Sequence, residues 1–268
     1  MEKQHALFAG TIPINYEKYL GPFLFEPYAL DIISRLKDKK YSNILELACG
    51  TGRVTAHLAK LVSPGTLTAT DLNKDMIEVA KQFVTDENIK WQVADAMELP
   101  FEKNSFDAVV CQFGIMFFPD KLKGLQEAYR VLKPGGKLIF NTWDKVENVP
   151  AIHEGRKTIE SFFENDTPGF YAIPFSMHDK NELESLMKAA GFKNAKASLG
   201  KKEGISSAPD LAKGMVDGNP IYLAIIEKDP SLVEPIRIKV EEVLAKKFGA
   251  KPLKSPLAAW VCEGEKTS

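Results

Sequence analysis

"ELACGTGRV", residues 46–54, follows the apolar run "NIL" and leads into a helix-like stretch. It crowds a carboxylate, a cysteine and two glycines into one turn. The glycines let backbone come close to a ligand, and the N-terminus of the helix that follows favours a negative group. A glutamate in the same turn would repel a pyrophosphate. The turn therefore suits a ligand that carries positive charge as well as an anionic end.

Outward from this turn the chain alternates between two periodicities up to about residue 144. "NILELA" reads as a buried strand, and the stretch 52–62 puts Val54, Leu58, Leu61 and Val62 on one helical face. "LTATD" is a second strand, "NKDMIEVAKQFV" a second helix and "IKWQVAD" a third strand. "FDAVVCQFG" is apolar enough for a central strand covered on both faces. Residues 121–132 form a helix stopped by "KPGG", and "KLIFNTW" is a fifth strand. Strands separated by helices at this rhythm predict a parallel, doubly wound sheet, because parallel neighbours need a crossover. Farther on, residues 181–192 read as a helix closed by Gly191, "NAKASLGKKEG" as an edge strand, and Asp229-Pro230 as the opening of a helix that runs to Phe248.

The 268 residues are 44% hydrophobic and 26% charged, with a net charge of −1. That balance gives no electrostatic reason to expect nucleic acid or an anionic membrane. No stretch has the roughly 18–20 apolar residues needed to cross a bilayer, and "MEKQHALFAG" lacks the pattern of a secretory signal. Cys49, Cys111 and Cys262 lie far apart, so neither a disulfide framework nor a metal site is expected. The expected setting is the cytoplasm.

In an open parallel sheet, ligands bind beyond the carboxyl ends of the strands. Glu46, Asp71 and Asp95 fall at the ends of the first three. Asp71 stands about 20 residues beyond the glycine turn, the interval at which an acidic side chain meets a ribose. Asp95 and Ala96 can offer a carboxylate and a backbone N–H to an adenine edge. "GTGRVT" has Thr55 where a dinucleotide fingerprint needs its third glycine. A nucleoside joined to a zwitterionic amino acid and a sulfonium meets every demand, and S-adenosylmethionine is that molecule.

On "LELACGTG" (45–52), "LTATDLNKDMIEVA" (67–80), "ADAMELPF" (94–101), "SFDAVVCQFGIMFF" (105–118) and "YRVLKPGGKLIF" (129–140), the sequence resembles class I S-adenosylmethionine-dependent methyltransferases. The likeness is to the small-molecule branch of ubiquinone and menaquinone biosynthesis. It covers roughly residues 40–144, more weakly to 199. Ala48 departs from it, since members often have glycine there. The resemblance implies an α/β fold: a doubly wound, mostly parallel seven-stranded sheet with helices on both faces and a helical cap. "LAAWVCEGE" would be its inserted, antiparallel last strand. The expected organisation is an N-terminal helical lid (1–35), a cofactor-binding core (36–204) with a cap insertion at about 145–178, a second cap insertion (205–250), and the final strand with a tail (251–268).

The resemblance also implies roles. Glu46, Ala48, Gly50 and Gly52 would line the methionine half of S-adenosylmethionine, Asp71 would take the ribose, Leu72 and Met76 would flank the adenine, and Asp95 and Ala96 would hold its edge. Gln112 and Phe113 would face the methionine moiety and the acceptor. Apart from the resemblance, the aromatic stretch "INYEKYLGPFLFEPYA" (14–29) reads either as a helix pair packing aromatic core or as a lid over the cofactor, with the hydroxyl of Tyr16, Tyr19 or Tyr28 near the cofactor or the acceptor and Tyr19 counted among the cofactor-binding residues. Phe117, Phe170, Tyr171 and Phe175 are candidates for the acceptor pocket, with no metal involved.

Methyl transfer is an in-line displacement from an excellent leaving group, so alignment supplies much of the rate. A general base is needed only for a nucleophile that is protonated at working pH. His153, His178, Tyr16 and Tyr28 are the candidates; His5 and His57 are weaker. The expected partner is a small-molecule acceptor, met by a monomer or homodimer that binds neither nucleic acid nor membrane. The acceptor, and whether its O, N, S or C is methylated, are open. Two rival readings are a nicotinamide-dependent oxidoreductase and a non-catalytic cofactor-binding scaffold.

Overall fold

The computed structural model describes residues 10–62, 64–163 and 168–267. His5 lies outside the described residues. The chain forms two compact units. One holds residues 28–144, 174–200 and 259–268; the other holds residues up to Pro27, Lys145–Ile173 and Lys201–Ala258.

The first unit carries the sheet. Its strands are β1 (Asn43–Glu46), β2 (Thr66–Asp71), β3 (Ile89–Val93), β4 (Phe106–Gln112), β5 (Leu132–Trp143), β6 (Lys193–Ser206) and β7 (Leu253–Glu265). The spatial order is β3-β2-β1-β4-β5-β7-β6. The pairs β1–β2, β1–β4, β2–β3 and β4–β5 are parallel, and β5–β7 is antiparallel. The expected inserted strand and edge strand are thus both present, as β7 and β6. The last part of β6 and the first part of β7 extend into the other unit.

Strand alternation divides the core into two faces. Leu45, Val109, Leu138, Phe140 and Cys262 pack on one. Ile44, Leu67, Ala69, Val110, Ile139 and Val261 pack on the other, beneath α1 (Glu26–Leu36) and α2 (Thr55–Val62). The crossover helices α3 (Lys74–Phe83) and α4 (Lys121–Val131) start at side-chain caps. Asn73 accepts from the Asp75 N–H and Asp120 from the Lys123 N–H, filling donors that a helix start leaves open.

One detail differs from the sequence reading. "KPGG" does not end α4, which stops at Val131, but forms a bulge inside β5. Phe106 pairs with Leu132 and Ala108 with Lys137, so the residues between loop out, with Gly135 at a φ of 77°. A proline without an N–H is tolerated at such a bulge.

The other unit is mainly helical. A short turn of α-helix, Ile12–Asn15, passes into a wide π-type segment, Tyr16–Phe25, that contains Pro22. A residue without a donor fits a stretch where the regular ladder is interrupted. The unit also contains α5 (Pro150–Glu160), α7 (Ala208–Asp217), α8 (Ile221–Lys228) and α9 (Val233–Phe248); α6 (Lys180–Ala189) belongs to the first. The Arg237 guanidinium holds the buried Asp217 carboxylate at 3.1 Å and 3.2 Å, tying α9 to α7. The unit boundaries leave residues 28–35 and 174–178 with the sheet, where the sequence placed them in the lid and the cap.

Candidate active site

At the end of β1 the chain turns sharply: Ala48, Gly50 and Gly52 have φ values of 50°, 55° and 86°. A side chain at Gly50 would meet nothing within 4 Å, so glycine there serves the backbone conformation and leaves the approach open. A Cβ at Gly52 would press on Ala80 Cβ and Val84 Cγ2, each at 3.1 Å. Ala48 is tolerated because its neighbour has no side chain: a Cβ at Gly114 would lie 2.4 Å from that of Ala48.

Asp71 holds this turn. One carboxylate oxygen accepts the Gly50 N–H at 2.8 Å and the other the Asn73 N–H at 2.8 Å. The turn is further pinned by Cys49 N–H to Thr70 O at 2.9 Å, and the Thr70 hydroxyl donates to Glu46 O at 2.8 Å. Asp95, after β3, similarly accepts the Met97 N–H at 2.8 Å. Leu72 stands 37% exposed next to Asp71 in the chain, Met76 is buried on α3, and Ala96 is buried after Asp95.

Glu46 is 2% exposed, and its Oε2 makes no hydrogen bond among the described residues. Burial raises its carboxyl to about 8, helped by the negative charge of Asp71. The Thr55 hydroxyl lies close enough to oppose this but outside hydrogen-bond geometry. A buried acid with an unused oxygen costs free energy unless a partner arrives. An ammonium supplies that partner, and its charge favours the ionised carboxylate.

The carboxyl end of β4 is different in kind. Beyond Gln112, Phe113 takes a φ of 50°, uncommon for an aromatic residue. Its N–H is shared between Asn141 O at 3.2 Å and Asn141 Oδ1 at 3.0 Å. Its ring stacks on Trp143 at 4.0 Å with an interplanar angle of 10°. Tyr28 meets both rings edge-on at 5.4 Å and 5.6 Å, and Phe175 lies 6.2 Å from Trp143. Phe117, in the short turn Ile115–Phe117, is 38% exposed.

Tyr28 cannot serve as a base. It is fully buried, its hydroxyl donates to Gly200 O at 2.9 Å, and burial pushes its ionisation far up. His178 is better placed. Its Nδ1 lies 3.0 Å from Phe175 O, so Nδ1 donates to that carbonyl and Nε2 is the ring nitrogen left for other partners. The loop around it is tied to the sheet by Trp260 Nε1 to His178 O at 2.9 Å and by the Thr142 hydroxyl to Met177 O at 3.2 Å. Cys49 and Cys111 are buried with thiols pushed up, Cys111 to about 12, which makes them packing residues.

Tyr16, Tyr19, His153, Phe170 and Tyr171 belong to the other unit. Tyr16 stacks on Phe25 at 4.9 Å. Tyr19 sits beside the Lys18 and Lys213 ammoniums, 5.0 Å and 5.2 Å from its ring, and these pull its phenol down, Lys18 most. Phe170 meets Tyr171 at 5.5 Å, and the buried Tyr171 phenol is pushed up. His153 Nδ1, on α5, is buried without a hydrogen bond among the described residues.

The sequence reading passed over Asn141 and Trp143. For Asn141 the signal was available, as one amide inside the apolar run "LIFNTW". Trp143 reads as an ordinary strand-end residue until the fold gives it neighbours.

Residues 45–140 match the family model of a methyltransferase domain. The chain is similar to a demethylmenaquinone methyltransferase of Staphylococcus aureus (strain JH9), with 32% identity over 214 residues, covering 73% of this chain and 87% of that protein. The corresponding protein of Staphylococcus carnosus (strain TM300) is 31% identical over 209 residues, covering 72% and 86%. Among solved structures, a putative methyltransferase from Bacillus halodurans C-125 superposes with a TM-score of 0.59 at 21% identity, covering 89% of this chain and 99% of that one. Phosphoethanolamine N-methyltransferase 2 of Haemonchus contortus, solved with S-adenosyl-L-methionine, gives 0.60 at 19% identity, covering 96% and 57%.

Proposed function

The chain belongs to the class I S-adenosylmethionine-dependent methyltransferases, and we propose that it methylates a small, flat aromatic acceptor at the carboxyl ends of β4 and β5. The nicotinamide and scaffold readings fall away with family membership. The observation that carries the acceptor class is the Phe113–Trp143 stack. An aromatic residue held at a positive φ costs on the order of 1 kcal/mol or more, and such strain concentrates where a ring must be aimed. Both rings are buried in the ligand-free fold, and aromatic side chains favour stacked or edge-on aromatic partners. The curated relatives are named for a quinone-type acceptor, which agrees with such a partner.

When bound, S-adenosylmethionine supplies a sulfonium methyl: the acceptor's electron pair forms the new bond to carbon, the C–S pair leaves with sulfur as S-adenosylhomocysteine, and any proton on the nucleophile passes to a base or to water. The chain's residues hold the partners in line. The unused Glu46 Oε2 and the open approach over Gly50 fit an ammonium-bearing amino acid. In this reading Glu46, Ala48, Gly50 and Gly52 take the methionine half and Asp71 the ribose. Leu72, Met76, Asp95 and Ala96 hold the adenine, while Gln112 and Phe113 face the methionine moiety and the acceptor. His178 Nε2 receives the proton of a protonated nucleophile, which its tautomer allows.

The proposal keeps the protein a cytoplasmic monomer or homodimer that acts on a free small molecule. Among the described residues no helix is long and apolar enough to cross a membrane. Incubation with methyl-labelled S-adenosylmethionine and a metabolite extract, followed by mass spectrometry, tests the reading. Label in an aromatic product supports it. Label confined to aliphatic amines or phosphorylated alcohols overturns it.

A further inference from the structure

Alternation along the strands places Asp71, Glu46, Gln112 and Asn141 on one face, as a row across β2, β1, β4 and β5. Three members of that row have a place in the reading above, and Asn141 does not. It is fully buried in the middle of an apolar strand. Its Oδ1 accepts the Phe113 N–H at 3.0 Å, and an N–H cannot donate to an amide NH2, so the orientation of the amide is fixed. Its Nδ2 consequently points away from Phe113, and that donor finds no acceptor among the described residues. A fully buried, unsatisfied amide donor is uncommon in a folded protein and calls for an explanation.

The row also says which ligand would satisfy it. Asn141 pairs with Gln112 on β4, two positions beyond Val110, the residue that pairs with Glu46. Two strand spacings, roughly 10 Å, plus that offset separate it from Glu46. In an amino acid the ammonium and carboxylate are only about 3 Å apart, so an amino acid seated on Glu46 does not reach Asn141 with its carboxylate.

We infer that Asn141 is an acceptor-recognising residue: its Nδ2 donates to an oxygen on the acceptor ring, while its Oδ1 holds Phe113 in the stacking position. The inference rests on the aromatic-acceptor reading and adds to it that the ring carries a carbonyl or hydroxyl oxygen. One side chain thereby couples the aromatic stack to the chemistry it selects. A ring without an oxygen would leave the buried donor unpaired and be rejected.

The test uses the full chain saturated with S-adenosylhomocysteine and two near-flat probes of one shape, 1-indanone and indane, titrated calorimetrically. The wild type is expected to bind the ketone at least tenfold more tightly than the hydrocarbon. In Asn141→Leu that preference disappears through weaker ketone binding, while S-adenosylhomocysteine affinity stays within twofold. Asn141→Asp keeps an oxygen for Phe113, so it guards against a merely structural loss. Its ketone affinity is expected to fall as pH rises and the carboxyl loses its only donor hydrogen. Equal binding of both probes by the wild type overturns the assignment and leaves the aromatic acceptor standing. Binding of neither overturns both. Loss of S-adenosylhomocysteine affinity in step with the ketone puts Nδ2 on the cofactor and also overturns it.

Discussion

At β1 and β2 the proposed ligand-facing groups are two acidic side chains, Asp71 fixed by two backbone N–H groups and Glu46 with one oxygen unused, in a turn whose shape depends on glycine. At β4 and β5, on the same sheet, they are stacked rings and one buried amide. The first arrangement recognises charge and tolerates little change in backbone. The second recognises a flat shape through side chains that can be exchanged without redrawing the turn. A methyltransferase needs both, because its methyl donor is constant while acceptors differ. The difference predicts that changes at the two ends separate in their effects on the two ligands.

The largest effect is expected at Asp71. Asp71→Ala removes the acceptor for two backbone N–H groups as well as the proposed ribose contact. At about 1.5–3 kcal/mol for each hydrogen bond to a charged group, S-adenosylmethionine should bind on the order of 100-fold more weakly. The Michaelis constant for the acceptor should change far less. Calorimetry beside steady-state kinetics checks this, and equal losses for both ligands would erase the division between the two ends.

Glu46 gives the next effect, and it has a sign. Its carboxyl stands near 8 in the ligand-free fold against an ordinary 4.5. Between those values the unfolded chain has released a proton that the folded chain keeps. Stability of the ligand-free protein should therefore fall as pH rises through that window, by up to roughly 1.4 kcal/mol per unit. It should level off above about 8, where both states are ionised. In Glu46→Gln this slope should vanish. Thermal unfolding between pH 5 and pH 9 reads it directly, and a wild-type slope no steeper than the variant's would mean that Glu46 is ionised in the empty site.

At the aromatic end, Phe113→Ala should raise the Michaelis constant for the acceptor by about tenfold, in line with a stacking loss of roughly 0.5–1.5 kcal/mol plus lost burial. Cofactor affinity should shift by less than threefold. The smallest effect belongs to Tyr28→Phe. Losing the bond to Gly200 O should cost about 1 kcal/mol of stability and leave kcat unchanged. A large fall in kcat would return Tyr28 to the chemistry.

The same contrast explains what could be read in the sequence. The proposed cofactor end rests on local signals: two glycines in one turn, an acidic residue at the end of each of the first three strands, and the spacing set by a βαβ unit. Glu46, Gly50, Gly52, Asp71 and Asp95 follow from those without knowledge of the sheet. The acceptor end depends on residues far apart in sequence. Phe113 meets Trp143 only because β4 and β5 are parallel neighbours in one register. Tyr28 looked like a lid residue with an available hydroxyl because nothing local reveals that Gly200 accepts its proton. "KPGG" looked like a helix stop because a bulge in a strand uses the same residues as a turn. Ala48 departs from the glycine of the resemblance, and its compensation lies in Gly114, on another strand's loop.

The central claim is that Glu46 waits, protonated, for a cation. Calorimetric titration of S-adenosylmethionine at pH 7, repeated in buffers of different ionisation enthalpy, measures the protons exchanged on binding. Release of close to one proton by the wild type, and of almost none by Glu46→Gln, is the predicted result. Binding without proton release, at an affinity the substitution leaves untouched, would contradict the account.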